Sequence, residues 1–390
     1  MKSGLFYGAL VAALWITLEL GSWGTLRMLP TLRGLRYDPL DVTSLSDDHR
    51  RILHRLLDGS SAYVGFSAAL GWSIKPGGSA PPLYQANAQG LRATQEYAPE
   101  PRPGTRRLAA FGDSFTHGDG VRNSETWAEV LSATTPGTEV LNFGVGGYGI
   151  DQALLRYRLE GKQFHPQIVL IGFLSENISR SVNVYRPFYT PRTGQPLAKP
   201  RFLMGPGELS ILENPFRSLE AYRELLDHPA RVLARLGESD YFYQHRAHAS
   251  RWDLLPSVRL FKLSLQEIRL GSDPILRGGQ YNRDGEAFAV TSGILDAFVA
   301  EVKSDAARPL ILVFPTRKDL RHNWSEGGRV YQPLLDDFRV KGYEYLDLME
   351  AFERCRNSCD IDSLAPGHYT AAGNRMIADF LRDYLRRSAN

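Results

Sequence analysis

Four separate segments of the chain contain residue types that acyl-transfer chemistry requires. They are Ser114 in a Gly-Asp-Ser turn, Gly147 in a glycine cluster, Asn177 after an apolar run, and His368 in a Pro-Gly-His loop. A serine hydroxyl is a poor nucleophile until a base takes its proton, and histidine titrates in the range where this is possible. Backbone N–H groups and a side-chain amide can stabilise the oxyanion that forms. The set therefore predicts nucleophilic catalysis on an acyl group.

The Gly-Asp-Ser segment follows an apolar strand predicted at 107–111, and a loop then leads into a helix. Open α/β sheets bind ligands outside the carboxyl ends of their strands, which is where Ser114 would lie. The glycine before it permits a tight turn, and a following helix directs N–H groups at developing negative charge. The alternative is an ordinary strand-to-helix turn in which the serine caps the helix.

Two further segments contain a glycine cluster and an asparagine after an apolar run. In the cluster that runs from Asn142 to Gly147, a glycine lets the backbone approach a ligand closely. Asn177 follows the apolar run 168–174 and carries a side-chain amide. The alternatives are a plain turn for the glycine cluster and a solvated loop asparagine.

These segments resemble the sequence blocks of the SGNH (GDSL) hydrolases, of the bacterial membrane-anchored type. The resemblance implies that Ser114 is the nucleophile and His368 the base. It also implies an oxyanion hole formed by the N–H groups of Ser114 and Gly147 and by the amide of Asn177. This chemistry requires no metal and no cofactor. The matching segments are 112–118, 142–152, 168–177 and 366–375, with a less specific match at 70–92.

The third member of a catalytic triad is the point at which the chain departs from this family. The family's last block usually has an aspartate three residues before the histidine, where this chain has Ala365. The nearest acids upstream are Asp362 and Asp360, and we expect Asp362 to orient the His368 ring. Asp360 is one alternative, and a backbone carbonyl that leaves a Ser–His dyad is another. His117 lies beside the nucleophile, at a position that varies in the family.

Alternating β-rich and helical runs predict the elements that position these residues. Such alternation implies βαβ units and a parallel sheet covered on both faces. The predicted fold is a three-layer, flavodoxin-like α/β/α domain with a parallel five-stranded sheet in the order 2-1-3-4-5. The strands are expected at 107–111, 139–143, 167–173, 309–314 and 343–348, and the helices at 125–133, 151–159, 294–302, 331–338 and 371–384.

The domain organisation follows from the same pattern. Residues 1–30 would form a membrane anchor, 31–105 a mixed region, and 106–390 the SGNH hydrolase domain. The stretch at about 181–285 interrupts the alternation and is expected to be an insertion that forms a lid or binding loop.

Residues 4–24 are apolar apart from Glu19 and are long enough to cross a bilayer as a helix. A cleaved signal peptide and a buried core helix are alternatives, but no clear small-x-small cleavage site follows the run. Basic residues flank this helix: Lys2 precedes it, and Arg27, Arg33 and Arg36 follow it. By the positive-inside rule, this distribution weakly favours a catalytic domain on the cytoplasmic side.

The two cysteines, Cys355 and Cys359, favour the opposite side of the membrane. A short irregular loop would let them pair, and disulfides persist in oxidising compartments. We therefore expect a single-pass protein whose catalytic domain is extracytoplasmic, in the periplasm or outside the cell. Two buried free thiols are the alternative, and a four-ligand zinc site would need a second Cys/His pair.

Composition limits the remaining functional classes. The 390 residues carry a formal net charge of +3 from 46 basic and 43 acidic side chains, which gives no indication of nucleic-acid binding.

The expected partners are the membrane and a small-molecule or glycan ester. The expected activity is that of a serine esterase on an O-acyl ester, possibly of an envelope glycan or lipid. An O-acyltransferase to a carbohydrate and a non-catalytic glycan-binding protein with a decayed site are the alternatives.

Overall fold

The computed structural model describes residues 2–387, which are built around one parallel sheet of five strands. The strand order is β2-β1-β3-β4-β5, and every neighbouring pair is parallel. The predicted fold and strand order are confirmed. The strands are β1 (Arg106–Phe111), β2 (Thr138–Asn142), β3 (Ile168–Leu174), β4 (Arg308–Phe314) and β5 (Tyr345–Asp347).

Helices cover both faces of this sheet and create two separate apolar cores. In β1, Leu108 and Ala110 face one core while Ala109 and Phe111 face the other, because successive strand side chains point in opposite directions. All seven residues of β3 are buried, as expected for the central strand of a covered parallel sheet. One face is covered by Ile150–Arg156, Glu286–Ser304 and Gln332–Lys341, and the other by Trp127–Thr134, Met349–Glu353 and Ala371–Arg387.

All five predicted helices differ from the observed ones at their ends, and the one expected at 294–302 extends over Glu286–Ser304. The helix expected at 125–133 begins at Trp127, because the Thr126 side chain accepts a hydrogen bond from the Glu129 N–H and caps it. The helix expected at 151–159 is α-helical over Ile150–Arg156 and continues as a π-helical turn over Tyr157–Gly161. The carboxyl ends of the strands, where the expected site lies, are unaffected.

The remaining elements surround the sheet. The chain between β3 and β4, all of which the structure describes, adds no strand to the five-stranded sheet. Short antiparallel pairs join Val64–Ser67 with Gly71–Ile74, Ser79–Ala80 with Tyr84–Gln85, Arg201–Met204 with Leu209–Leu212, and Leu276–Arg277 with Gln280–Tyr281. The other α-helices are Asp47–Leu57, Ser114–His117, Asn177–Arg180, Arg186–Tyr189, Glu220–Asp227, Pro229–Gly237, Tyr241–His245, Pro256–Ser272, Arg317–Ser325 and Ile361–Leu364, and the 3₁₀ turns are Asn123–Glu125, Lys162–Phe164 and Arg251–Leu254.

The N-terminal helix, Lys2–Arg33, carries the apolar run. Its segment Gly4–Arg33 is long and apolar enough to cross a membrane, and none of its most apolar stretch is buried in the described chain. This exposure is incompatible with a buried core helix. The length and composition fit a membrane anchor and equally a signal sequence.

Cys355 and Cys359 form a disulfide, with their Cα atoms 5.4 Å apart. The bridge closes a turn after the helix Met349–Glu353, in which the Cys359 N–H donates to the Cys355 carbonyl. The predicted pairing is confirmed, and both sulfurs pack against the core that contains the C-terminal helix.

Candidate active site

Ser114 lies at the carboxyl end of β1, as the first residue of the short helix Ser114–His117. The Asp113 side chain caps this helix by accepting a hydrogen bond from the Phe115 N–H at 2.9 Å. The turn needs a glycine at position 112, because a Cβ there would collide with the Thr116 hydroxyl. Strand, turn and cap together present the serine hydroxyl at the edge of the sheet, where ligands of open α/β sheets bind.

His368 reaches this serine from the other end of the sequence. Its Nε2 lies 2.9 Å from Oγ of Ser114. The imidazole packs on the Phe115 ring, with centroids 5.1 Å apart, and Phe115 packs edge-on against Tyr369. The Tyr369 hydroxyl donates to the Pro315 carbonyl and holds the loop that carries the histidine. The structure therefore brings together the two residues that nucleophilic catalysis needs first.

Gly147 lies on a loop that faces the same cavity as Ser114. Its φ is +82°, a conformation that favours glycine. The Gln195 side chain lies directly over it, donates to the Gly146 carbonyl at 2.8 Å, and would collide with a Cβ at position 147. Within residues 2–387, neither the Ser114 N–H nor the Gly147 N–H donates a hydrogen bond to another residue, so both are available to a ligand.

Asn177 lies just past β3 and is fully buried. Its Nδ2 donates to Oδ2 of Asp113 at 3.0 Å, and the same oxygen accepts from Nη1 of Arg180 at 2.9 Å. Its Oδ1 has no hydrogen-bond partner among the described residues. The structure thus places the Asn177 side chain against Asp113, the residue before Ser114. One of its amide hydrogens is bonded to the Asp113 carboxylate.

A buried ion pair supports the Gly-Asp-Ser turn. Burial raises the pKa of Asp113, and the Arg180 guanidinium opposes this shift. Burial by itself would lower the pKa of Arg180, but the carboxylates of Asp113 and Glu176 raise it. Because a buried carboxylate that loses its partner is strongly destabilised, Arg180 holds Asp113 and hence the turn in place. Sequence reasoning missed this pair, although Arg180 follows Asn177 by three residues on one helical turn.

The structure does not bring Asp362 to His368, contrary to the expectation for the triad acid. The Asp362 carboxylate is exposed and accepts hydrogen bonds from Arg317 at 2.6 Å and Arg321 at 2.8 Å. Asp360 instead caps the helix Ile361–Leu364. Within the described range 2–387, the His368 ring makes its hydrogen bond to Ser114, and no residue hydrogen-bonds to its Nδ1.

Asp362→Asn should therefore leave kcat/KM on a simple ester close to the wild-type value. The exposed carboxylate contributes only a surface ion pair, and such pairs add little to the stability of a protein. Steady-state hydrolysis of 4-nitrophenyl acetate measures the effect, with His368→Ala assayed alongside. A loss for Asp362→Asn as large as that for His368→Ala would restore Asp362 to the triad.

His117, the other histidine beside the nucleophile, is engaged elsewhere. Its Nε2 lies 2.7 Å from the Tyr63 hydroxyl, and its Nδ1 pairs with Asp119. Burial lowers the pKa of His117, although Asp119 opposes the shift. The ring is almost completely inaccessible and makes no hydrogen bond to Ser114 in the described chain.

A cavity of about 1210 Å³ surrounds the serine. Much of its wall comes from residues 186–195 and 275–281, which belong to the stretch predicted as an insertion. Arg186 donates to the Gly147 carbonyl at 2.8 Å and so connects this stretch to the loop that carries Gly147. Within residues 2–387 no group of three or more His, Cys, Asp or Glu side chains is arranged to hold a metal ion.

Comparison with known proteins gives one family match. Residues 110–252 match the family model described as GDSL-like Lipase/Acylhydrolase family. This range contains Ser114, Gly147 and Asn177. No curated protein matches the sequence.

Three similar solved structures come from bacteria. An acetylxylan esterase from Geobacillus stearothermophilus has 14% identity and a TM-score of 0.37, over 71% of this chain and 93% of that one. A GDSL-like lipase from Bacteroides thetaiotaomicron has 11% identity and a TM-score of 0.36, over 74% and 91%. A member of the lipolytic protein G-D-S-L family from Veillonella parvula has 10% identity and a TM-score of 0.32, over 70% and 95%. Similarity at this level carries no information about the substrate of this chain.

Proposed function

We propose that this chain, whose residues 110–252 match a GDSL-like lipase/acylhydrolase family model, is a serine esterase with Ser114 as nucleophile and His368 as base. The observation that carries the proposal is the 2.9 Å contact between Oγ of Ser114 and Nε2 of His368. These residues are 254 positions apart in the chain, so only the fold brings them together. A hydroxyl within hydrogen-bond reach of an imidazole is the geometry that nucleophilic activation requires.

The first half of the reaction acylates the serine. Oγ of Ser114 attacks the acyl carbon while its proton moves to Nε2 of His368. The carbonyl oxygen becomes an oxyanion, which the N–H groups of Ser114 and Gly147 and the amide of Asn177 stabilise. When the carbon–oxygen bond to the alcohol breaks, the alcohol leaves with the proton from Nε2, and the acyl group remains on Ser114.

The second half reverses the roles. A water molecule gives a proton to Nε2 of His368 and attacks the acyl carbon, which forms a second oxyanion in the same place. Breakdown releases the carboxylic acid and returns the proton to Oγ of Ser114. No carboxylate is needed to move a proton in either half, because an acid partner only orients the imidazole and stabilises its charged form. In this chain the Phe115 ring and the Tyr369 anchor perform the orienting role.

The proposed substrate is an O-acyl ester of an envelope glycan or lipid. The cavity exceeds the range of about 300–1,000 Å³ that typical small-molecule pockets occupy. Its wall contains charged and polar side chains, among them Arg186, Gln195 and Lys318, which suit a hydroxyl-rich ligand. The size of the cavity thus supports a bulky alcohol as the leaving group, and these side chains offer hydrogen bonds to its polar groups.

We place this catalytic domain outside the cytoplasm, held at the membrane by residues 4–24. The Cys355–Cys359 disulfide supports the location, because such bonds persist in oxidising compartments. The exposed apolar side chains of the N-terminal helix support the anchor, because water would otherwise hydrate them.

Covalent labelling tests the proposed nucleophile directly. Full-length protein in detergent, treated with a fluorophosphonate, should gain the mass of one phosphonyl group on the peptide that contains Ser114. The same protein should hydrolyse 4-nitrophenyl acetate, and labelling should stop the hydrolysis. Ser179→Ala is the matched control, since Ser179 lines the same cavity and should leave both results unchanged. A phosphonyl group on any other residue, or none at all, would contradict the assignment.

A further inference from the structure

Outside the N-terminal helix, large exposed apolar side chains concentrate in residues 252–276. The stretch exposes Leu254 by 87%, Phe261 by 68% and Ile268 by 70%, and Trp252 and Leu276 are also exposed. The rest of the described body exposes only scattered examples, which are Leu159, Met204, Ile211 and Val340. Single exposed apolar residues need no explanation, but a cluster of this kind marks an interaction surface.

The cluster follows helical spacing. Phe261 and Ile268 are seven residues apart in the helix Pro256–Ser272, so they lie two turns apart on one face. Leu254 lies another seven residues before Phe261, in the 3₁₀ turn that precedes the helix. Leu263, in contrast, is buried against the body. The helix therefore has a buried side and an exposed apolar side, which carries Phe261 and Ile268. These two residues and the exposed Leu254 before the helix are here called the outer stripe, and no protein covers them in the described chain.

The same helix packs against the N-terminal helix. The Glu19 carboxylate, the one charge in the apolar run, accepts hydrogen bonds from the Ser257 N–H at 3.0 Å and from its hydroxyl at 2.6 Å. At a rise of 1.5 Å per residue, Glu19 lies about 22 Å along the helix from Gly4. A bilayer's hydrocarbon core is about 30 Å thick, so the start of the helix Pro256–Ser272 lies close to the end of the apolar span.

Charge on this segment also fits a membrane surface. Between Arg251 and Ser272 the chain has four basic side chains and two acidic ones. An apolar stripe flanked by Lys and Arg is the pattern of helices that lie in the bilayer interface, where the apolar face enters the boundary of the acyl chains and the cations meet anionic headgroups. The basic residues are Arg251, Arg259, Lys262 and Arg269, and the acidic ones are Asp253 and Glu267. Lys262 donates to Asp253 at 2.6 Å, so the three arginines are the cations of this segment that have no carboxylate partner among the described residues.

We propose that residues 251–272 form a second membrane contact, in which the outer stripe lies in the interface of the bilayer that holds the N-terminal helix. The proposal rests on the membrane anchor given above. Leu276 continues the exposed cluster and also lines the catalytic cavity, so the contact extends to the cavity rim. The second contact fixes the tilt of the catalytic domain and holds the rim beside the membrane surface, where an ester attached to a lipid or to an envelope glycan would reach Ser114.

Site-directed fluorescence on the full-length protein tests the proposal. Both native cysteines are in the disulfide, so an introduced cysteine is the free thiol available for labelling. Phe261→Cys and Ile268→Cys, each labelled with nitrobenzoxadiazole, would be reconstituted in vesicles of phosphatidylcholine and phosphatidylglycerol. The emission of both should shift to the blue, and spin-labelled phosphatidylcholine should quench it several-fold. Val340→Cys is the matched control, because Val340 is equally exposed on another helix and should show neither effect.

A label at Trp15→Cys separates the second contact from the anchor itself. Trp15 is exposed on the N-terminal helix, and a label there should be quenched if that helix spans the bilayer. Quenching at position 15 with water-like emission at 261 and 268 would overturn the second contact and leave the anchor standing. A blue shift at 261 and 268 without quenching by the lipid would mean that a protein covers the stripe, which also overturns the proposal. Water-like emission at all three positions would refute the anchor and the second contact together.

Discussion

Ser114→Ala should reduce kcat on any ester that the protein cleaves by up to about 10⁶-fold, and His368→Ala should do the same. The alanine at position 114 removes the only atom that becomes bonded to the acyl group. The alanine at position 368 leaves the hydroxyl without a base, because Nε2 lies 2.9 Å from Oγ and the other nearby histidine is bound to Tyr63 and Asp119. Steady-state hydrolysis of 4-nitrophenyl acetate, with protein concentration set by active-site titration of the wild type, measures both losses.

The two losses should not add. Because the serine and the histidine act as one unit, the double variant should be no slower than either single variant. The oxyanion-hole donors remain in all three, so a residual rate about 10³–10⁴ above that in water is expected. A full additive loss in the double variant, or wild-type activity in Ser114→Ala, would show that another group is the nucleophile.

The fold could be predicted from the sequence because its strands are distinctive. The buried strand Ile168–Leu174 is a continuous apolar run, and such runs between helices have few alternatives to a covered parallel strand. The positions of Ser114, Gly147 and His368 could also be predicted, because each follows a strand or precedes a helix at the same edge of that sheet. The sequence order of the elements thus determined which residues would meet.

The surroundings of Asp362 could not be predicted, because distance in sequence is a poor guide within a loop. Asp362 is six residues from His368, yet it points to Arg317 and Arg321, which are four residues apart on one face of the helix Arg317–Ser325. Two guanidinium groups at that spacing form a strong site for one carboxylate. The sequence shows neither the orientation of this helix nor its distance from the histidine loop.

Glu19 illustrates a different kind of contact that the sequence could not reveal. A single carboxylate in an apolar run predicts a polar partner, because an isolated charge in hydrocarbon is costly. The partner, Ser257, is 238 residues away on a helix whose own pattern gives no hint of the N-terminal helix. Ser257 is identified as the partner only once the insertion is seen to pack against the N-terminal helix. Packing between segments so far apart in the sequence depends on the whole fold.

Asn177→Ala should lower kcat by about 10²–10³ and leave KM nearly unchanged, which is the loss expected for one oxyanion donor. One amide hydrogen of Asn177 is given to Asp113 at 3.0 Å, and the second is the one proposed to reach the oxyanion. An interaction made only in the transition state affects kcat and kcat/KM equally. The ratio of the two parameters on 4-nitrophenyl acetate therefore separates donation to the oxyanion from support of the turn.

Asn183→Ala provides the matched control for this experiment. Asn183 is as fully buried as Asn177, gives its amide to the Asp240 carboxylate at 2.8 Å, and also has an Oδ1 without a hydrogen-bond partner among the described residues. Unlike Asn177, it makes no hydrogen bond to Asp113 and bonds to Tyr185 and Asp240 instead, so its loss should lower the thermal unfolding temperature without changing kcat. If Asn177→Ala behaved in the same way, with reduced stability and unchanged kcat, the amide would serve the Asp113 turn alone. The oxyanion hole would then consist of the two backbone N–H groups of Ser114 and Gly147.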